Sequence, residues 1–556
     1  MPSPLRLAPL ALALFALPLA TQAQTIPNSG QILQQVQPKP SEKPRAEPGL
    51  VIESPASDAT ADNTPFAVTQ LRIDGNTAFD NATLHALVAD GEGRTQTLTE
   101  LNTLAQRITD YYHAHGYPLA RALVPAQTLI DGTVHITVVE ARYDQVQLDN
   151  RSRVSDGLLR ATLAPLQAGQ RVTQSALDRS LLLLGELPGV SPHATLGPGA
   201  AAGTSTLGVV ADATPTVQGD LIVDDAGSRY TGRMRVGGNL DINSPLHHGD
   251  QLSLSALTSG HGMRYGRVDY QYTLNGQGTR VGAAYSALAY ALGGSLRELD
   301  ARGTAQVGGA WLTQPLVRTR RSNVDVRVQF DHKRLRDRID STSLRNDRHA
   351  SSATASVVGQ RSDDWSGGGV TSTSLNVKHG TLHFDEAAAA VADAATARTQ
   401  GSYTYWTASL ARLQNLGAST RLYASVSGQH SRRNLDSSEQ FLLGGPTSVR
   451  GYDMASVAGA SGWLGTVELR RDLYWSCAGH CEGSVFVDHG GLRINADPWV
   501  VGHNQVNLNS AGIGFRWIGS RQWQAQVQFA APLGTVPAVL GKRRAARVWL
   551  QVVRGF

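Results

Sequence analysis

From about residue 215 to the C-terminus the chain shows almost no helical periodicity, and this run of about 340 residues limits the fold more than any other feature. Strand-length segments alternate apolar and polar residues instead. In "VDVRVQFD", Val324, Val326, Val328 and Phe330 share one face, and Asp325, Arg327, Gln329 and Asp331 take the other. "RVDYQYTL" sets Val268, Tyr270, Tyr272 and Leu274 against Arg267, Asp269, Gln271 and Thr273. In "QWQAQVQFA", Trp523, Ala525, Val527 and Phe529 oppose four glutamines. A soluble sandwich also alternates. Long strands, a strongly polar second face and the unbroken run of segments favour a membrane barrel, with apolar residues on lipid and polar ones in a wet lumen. About sixteen such segments can be counted, an even number as bacterial barrels require. The last, "RVWLQVVRGF", places Val548, Leu550, Val552 and Phe556 on one face, interrupted by Arg554.

The connections alternate in length. "NSPLHHGD", "TLNGQGTR" and "NLGAST" are short, whereas residues 431–460 and "DEAAAAVADAATART" are long. Short periplasmic turns and long outer loops are the expected asymmetry. The stretch "GGPTSVRGYDM" therefore enters from the outer side.

The start of the chain reads as a secretory signal, residues 1–23: Arg6, an apolar run over 7–20, and "TQA" at the cut, so the mature chain is expected from about Gln24. An uncleaved anchor is the alternative, but the apolar run is short for a spanning helix. No other apolar run reaches the length of a membrane helix. Residues 24–38 hold a short helix that Asn28 or Ser29 can cap, with Ile32, Leu33 and Val36 on one face. Residues 39–65, rich in Pro, Ser, Asp and Glu, read as an extended flexible linker.

Two small α/β repeats follow, at 66–141 and 142–212, each of about 70 residues. The first reads β-α-α-β-β. Its main helix carries Leu101, Leu104, Ala105, Ile108 and Tyr112 at helical spacing, Thr97 and Glu100 at capping-box spacing, and Gly116 and Pro118 at its end. In the second, helices around 155–163 and 173–187 stand between strands near 143–150, 190–196 and 204–211. Residues 213–556 form the barrel.

The net charge is +5, from 50 basic and 45 acidic residues, with no basic cluster interleaved with aromatics, so nucleic acid is not an expected partner. The two cysteines, Cys477 and Cys481 in "CAGHC", suit a local disulfide in an exported chain; a metal site with His480 lacks further ligands, and no metal or other cofactor is expected. No Walker A, G-x-S-x-G or H-E-x-x-H motif occurs, so no enzyme is expected.

In "SVFVDHGG", Val485 and Val487 share the apolar face, so Phe486 and Asp488 point inward. A long loop folded into the lumen would bring Arg450 to that wall, where a guanidinium fork suits a carboxylate. The plain alternative is a solvated loop arginine.

"SVRGY" (Val449, Arg450, Gly451, Tyr452), "FVDHG" (Phe486, Asp488, Gly490), two POTRA-like repeats and the terminal Phe556 together resemble the Omp85 superfamily. The stretches "SGQILQQVQP", "GYPLARALVPAQTLIDGTVHITVVEARYDQVQL" and "GDLIVDDAGSRYTGRMRVGGNLDINSPLHHGDQLSL" narrow the resemblance to the TpsB transporters of two-partner secretion, the ShlB/FhaC/HecB group. The resemblance implies a transmembrane antiparallel β-barrel of 16 strands in the outer membrane and two periplasmic POTRA domains. It implies a plug helix in the pore and a lumenal loop whose Arg450 meets Asp488. It implies export of a TpsA-type exoprotein (an adhesin, haemolysin or toxin) captured through its N-terminal secretion domain. Outer-membrane lipid and the barrel-assembly machinery are the further partners implied. An assembly insertase of the same superfamily is the nearest alternative. A passive porin would not need the two repeats, and an autotransporter would carry a longer passenger.

Overall fold

The computed structural model describes residues 26–37, 49–52, 64–474, 478–535, 537, 540 and 546–556. The expected signal segment 1–23, most of the linker, and Cys477 lie outside these residues.

Alternation along the C-terminal part resolves into a closed antiparallel barrel. Sixteen strands among the described residues run from Val217–Asp224 to Arg547–Gly555, and the last pairs with the first, Asp220 opposite Gly555 through Asp224 opposite Gln551. Gly219 and Phe556 then exchange both backbone hydrogen bonds, 3.0 and 2.9 Å, and complete the seam. Outward residues are the apolar set read from sequence: Val268, Val328, Phe330, Val485, Val487, Trp523, Phe529 and Val548 are all exposed. Inward neighbours such as Phe486, Asp488, Gln528 and Trp549 are buried. Such an apolar outer belt is stable only in contact with lipid.

The first N-terminal unit packs helices Asn81–Ala86 and Leu98–Ala114 on a sheet in which Gln70–Asp74 runs parallel to Thr133–Val139, with Arg121–Leu123 antiparallel beside it. Thr97 and Glu100 form a complete capping box, and the expected apolar stripe, Leu101, Leu104, Ala105, Ile108 and Tyr112, is buried. Departing from the β-α-α-β-β reading, an extra strand, Arg94–Gln96, pairs antiparallel with Phe66–Val68. Three residues are too few to show a period.

The second unit places helices Asp156–Leu163 and Gln174–Gly185 on a sheet centred on Thr204–Ala213 and Val190–Pro198. Strand Arg142–Asn150 lies parallel to Thr204–Ala213. Here the linker reading needs correction. Gly49–Ile52 is a strand, paired parallel to Val190–Pro198 at the sheet edge, with Leu50 against the unit's core. Its flanking composition is that of a flexible tether, but backbone pairing at an open edge depends little on side chains.

This second unit abuts the short-turn end of the barrel. Glu186 accepts from Arg318 Nε at 2.7 Å, Asp178 from Arg320 Nε at 2.9 Å, and Pro188 O from Ser244 Oγ at 2.5 Å. The long connections, including 432–460, therefore leave the opposite end. In the lumen lies the helix Ser29–Val36, capped by the Asn28 side chain, which accepts from Gln31 N at 3.2 Å. Ile32 and Leu33 pack on Tyr265, Leu288, Ala305 and Leu335 of the inner wall.

Candidate functional site: the lumenal loop and its anchors

Segment 432–460 folds back on itself as a small hairpin, Phe441–Leu443 paired with Val457–Gly459, and the tip between them carries Arg450. Gly444 (φ +104°) and Gly445 (φ +114°) start the tip in backbone space that side chains avoid. A Cβ on Gly444 would lie 2.3 Å from Asp453 O. Leu443, Val449, Tyr452 and Val457 then bury against Leu492, Val506 and Leu508 of the inner wall. Contact this close depends on Gly490, where a Cβ would meet Leu443 Cδ2 at 2.9 Å and Val449 Cγ2 at 3.2 Å. Gly451 plays the same part on the loop, 2.8 Å from Ser510 Cβ by the same measure.

Apolar docking sets Arg450 against a row of polar side chains whose acceptor is Asp488. Strand register sets Thr466, Asp488 and Ser510 side by side across three neighbouring strands, and Glu468, Phe486 and Gly512 in the next row. Asp488 accepts from Arg450 Nε at 2.9 Å, Arg450 Nη2 at 2.8 Å and the Arg450 backbone N–H at 3.1 Å. Thr466 Oγ1 (3.1 Å) and Ser510 Oγ (3.0 Å) donate to the same carboxylate. Glu468 accepts from Arg450 Nη1 at 2.8 Å and from Arg470 Nε at 3.0 Å. The guanidinium lies 3.2 Å from the Phe486 ring centroid. Gly512 makes room for that ring, since a Cβ there would stand 2.5 Å from Phe486 Cζ. Trp549 Nε1, on the last strand, donates to Arg450 O at 2.8 Å. Arg450 is 4% exposed and Asp488 0%, so the solvated-arginine alternative does not describe this chain.

Val449, Arg450, Gly451, Tyr452, Phe486, Asp488 and Gly490 are thus brought together. Cys481 stands apart at the short-turn end, buried and disulfide-bonded. Sequence reasoning missed Thr466, Glu468, Ser510 and Trp549. The alternation of "GTVELRR" marks Thr466 and Glu468 as inward, but only register shows that they flank Asp488.

Two further clusters, also missed, hold the root of the loop and the lumenal helix. Glu439 accepts from Lys333 Nζ (2.7 Å), Lys378 Nζ (3.1 Å), Tyr405 OH (2.6 Å) and Tyr403 OH (3.2 Å). Asp337 accepts from the Ser29 backbone N–H (2.7 Å), Ser29 Oγ (2.8 Å), Tyr290 OH (2.7 Å) and Arg348 Nη1 (2.7 Å). Arg348 Nε reaches Asp436 of the loop at 2.7 Å. One arginine therefore joins the helix anchor to the loop.

Residues 203–517 match the family of haemolysin secretion/activation proteins ShlB/FhaC/HecB, and residues 66–141 match the ShlB-type POTRA domain. The heme/hemopexin transporter protein HuxB of Haemophilus influenzae (strain 86-028NP) is 25% identical over 555 residues, 98% of this chain and 97% of HuxB. The outer membrane transporter CdiB of Escherichia coli is 24% identical, covering 84% of this chain and 79% of CdiB. The solved structure of CdiB from Escherichia coli superposes with a TM-score of 0.72 at 21% identity, over 90% of this chain and 93% of that one.

Proposed function

The chain belongs to the ShlB/FhaC/HecB family of haemolysin secretion/activation proteins, and we propose that it exports one large partner exoprotein across the outer membrane by two-partner secretion. The observation that carries this reading is the filling of the lumen. Helix Ser29–Val36 and loop 432–460 occupy it, held by side-chain contacts rather than by membership of the barrel sheet. Side-chain anchors can exchange without opening the wall, which a conduit for an unfolded chain requires.

Capture would begin in the periplasm. A sheet edge of the POTRA units accepts an extended segment of the partner's N-terminal secretion domain as an added strand, with backbone hydrogen bonds giving affinity and side-chain pockets selectivity. Gly49–Ile52 already occupies one such edge, so the partner must displace it or use another. Because Gly49–Ile52 and the lumenal helix belong to one N-terminal arm, displacement pulls on the plug. Arg450 and Asp488 hold the loop tip on the wall while the chain passes, with Phe486, Gly490, Val449, Gly451 and Tyr452 shaping the contact. Cys477 and Cys481 would close the turn at the periplasmic end.

The test is secretion of a co-expressed large exoprotein, encoded beside this chain, with and without it. Appearance in the medium only with the chain supports the reading. Equal export without it, together with failure of other barrels to assemble, supports an insertase instead.

A further inference from the structure

Strand lengths around the barrel are uneven. The two seam strands have 8 and 9 residues, close to the roughly 9–11 that a tilted strand needs to cross a membrane. Ala301–Arg318, Ser322–Ile339, Leu344–Asp363 and Gly369–Phe384 have 18, 18, 20 and 16. Arg318 and Arg320 tie the lower end of this wall to the second POTRA unit. The surplus length therefore projects past the outer interface.

Outward positions on Ser322–Ile339 read Val324, Val326, Val328 and Phe330, then His332, Arg334, Arg336 and Arg338. Burial of Lys333, Leu335 and Asp337 on the other face fixes this assignment. Across the sheet, Arg338 stands opposite both Arg302 and Arg345. The side chains of Arg302, Arg336 and Arg338 are 59%, 60% and 42% exposed. Asp347 lies 3.8 and 3.9 Å from Arg336 and Arg338, and Asp340 pairs with Arg302 at 2.6 Å. Five outward arginines (Arg302, Arg334, Arg336, Arg338 and Arg345) thus meet Asp340 and Asp347, while Asp385 is held by His349, opposite Arg334, at 2.7 Å, so the arginines remain in excess. Like charges directly opposite each other weaken a sheet, and such a row is relieved by an anion. Directly below, small residues flank Phe330: Gly308, Ala310 and Ala353 leave a lipid-side groove of about 610 Å³, rimmed by His332 and His379. A second recess of about 380 Å³ opens between Arg302, Thr304, Arg336 and Arg338.

We infer that this face binds a phosphorylated, acylated glycolipid of the outer leaflet. Its phosphates sit on Arg334, Arg336 and Arg338, and an acyl chain lies in the groove beside Phe330. Guanidinium forks match phosphate oxygens. The change from apolar to basic along one strand matches the headgroup boundary of a bilayer. A free phosphate would use the arginines but not the groove.

The experiment titrates the purified full-length protein with bis-phosphorylated lipid A, with its dephosphorylated form and with inorganic phosphate, reading bound lipid by native mass spectrometry. Wild type is expected to retain the phosphorylated lipid and to bind the dephosphorylated form weakly. R334Q/R336Q/R338Q should bind the phosphorylated lipid roughly a hundredfold more weakly, a factor of about five per arginine near an anionic surface. R336Q alone should show the single factor, which keeps the test decisive if the triple variant folds poorly. R264Q, an outward arginine on another strand, should bind as wild type. Equal binding by the variants, an equal loss in R264Q, or displacement of the lipid by an equal concentration of inorganic phosphate would overturn the assignment.

Discussion

Asp488→Ala tests the loop anchor most directly. The carboxylate is fully buried and accepts three hydrogen bonds from Arg450 and one each from Thr466 and Ser510. Removing one partner of a buried ion pair typically costs about 3–5 kcal/mol, because the other charge is left without compensation. Glu468 still holds Arg450 Nη1 at 2.8 Å, so the expected cost is near the lower end, ~3 kcal/mol. At tenfold per ~1.4 kcal/mol, the docked loop should lose roughly two orders of magnitude of its population advantage. The apolar cluster of Leu443, Val449 and Tyr452 remains, so the barrel should still insert and keep its heat-modifiable migration. Two readings follow in one strain: protease cleavage within 444–456 on intact cells, and exoprotein in the medium. Cleavage should rise and secretion fall. The double variant Arg450→Leu/Asp488→Leu should be less impaired than the two single costs summed, since neither buried charge then lacks its partner. Wild-type secretion and wild-type protease resistance in Asp488→Ala would refute the anchor.

Other expectations concern the helix, the linker strand, acid sensitivity and the cysteines. Asp337→Ala removes the acceptor for Ser29, Tyr290 and Arg348, so open-channel events in planar bilayers should become severalfold more frequent; unchanged conductance would separate the helix anchor from gating. Deleting residues 49–52 frees the Val190–Pro198 edge and should raise affinity for the partner's secretion domain severalfold in a pull-down titration; equal affinity would place capture elsewhere. Burial pushes the Glu140 carboxyl up, but hydrogen bonds from Thr77, Ala78 and Tyr112 outweigh it and hold its pKa below the usual value. That stabilisation is complete above the unfolded carboxylate pKa and is lost as pH falls through the lowered folded value. Amide exchange in 66–139 should therefore rise in acid in wild type, and Glu140→Gln should flatten the dependence. Cys477 and Cys481 should resist alkylation until a reductant is added.

Much of the architecture was legible because barrel strands announce their faces residue by residue. Val485 and Val487 outside fix Phe486 and Asp488 inside, whatever the neighbours are. What periodicity does not carry is lateral register. Thr466, Ser510 and Trp549 meet the Arg450–Asp488 pair only through pairings between distant segments, and nothing local in "GTVELRR" or "VWLQVV" states them. Gly49–Ile52 was missed for a related reason. Its sequence is that of a tether, and it becomes a strand because Val190–Pro198 offers an open edge. Glu439 lies in "SSEQF", a stretch that reads as an ordinary polar loop until Lys333 and Lys378 of the wall are placed around it.

The hydrogen bond from Trp549 to the Arg450 carbonyl spans 99 residues and starts from the final strand. Asp337 is 308 residues from Ser29. Contacts of such separation form late, after the loop-closure entropy between them has been lost. The loop tip cannot complete its docking until the last strand has been added and the seam with Val217–Asp224 is closed. An incompletely assembled chain therefore lacks the finished latch as well as the finished wall. Docking of the tip is in this way tied to order of assembly: the residues that fasten Arg450 to the wall also register that the cylinder is whole.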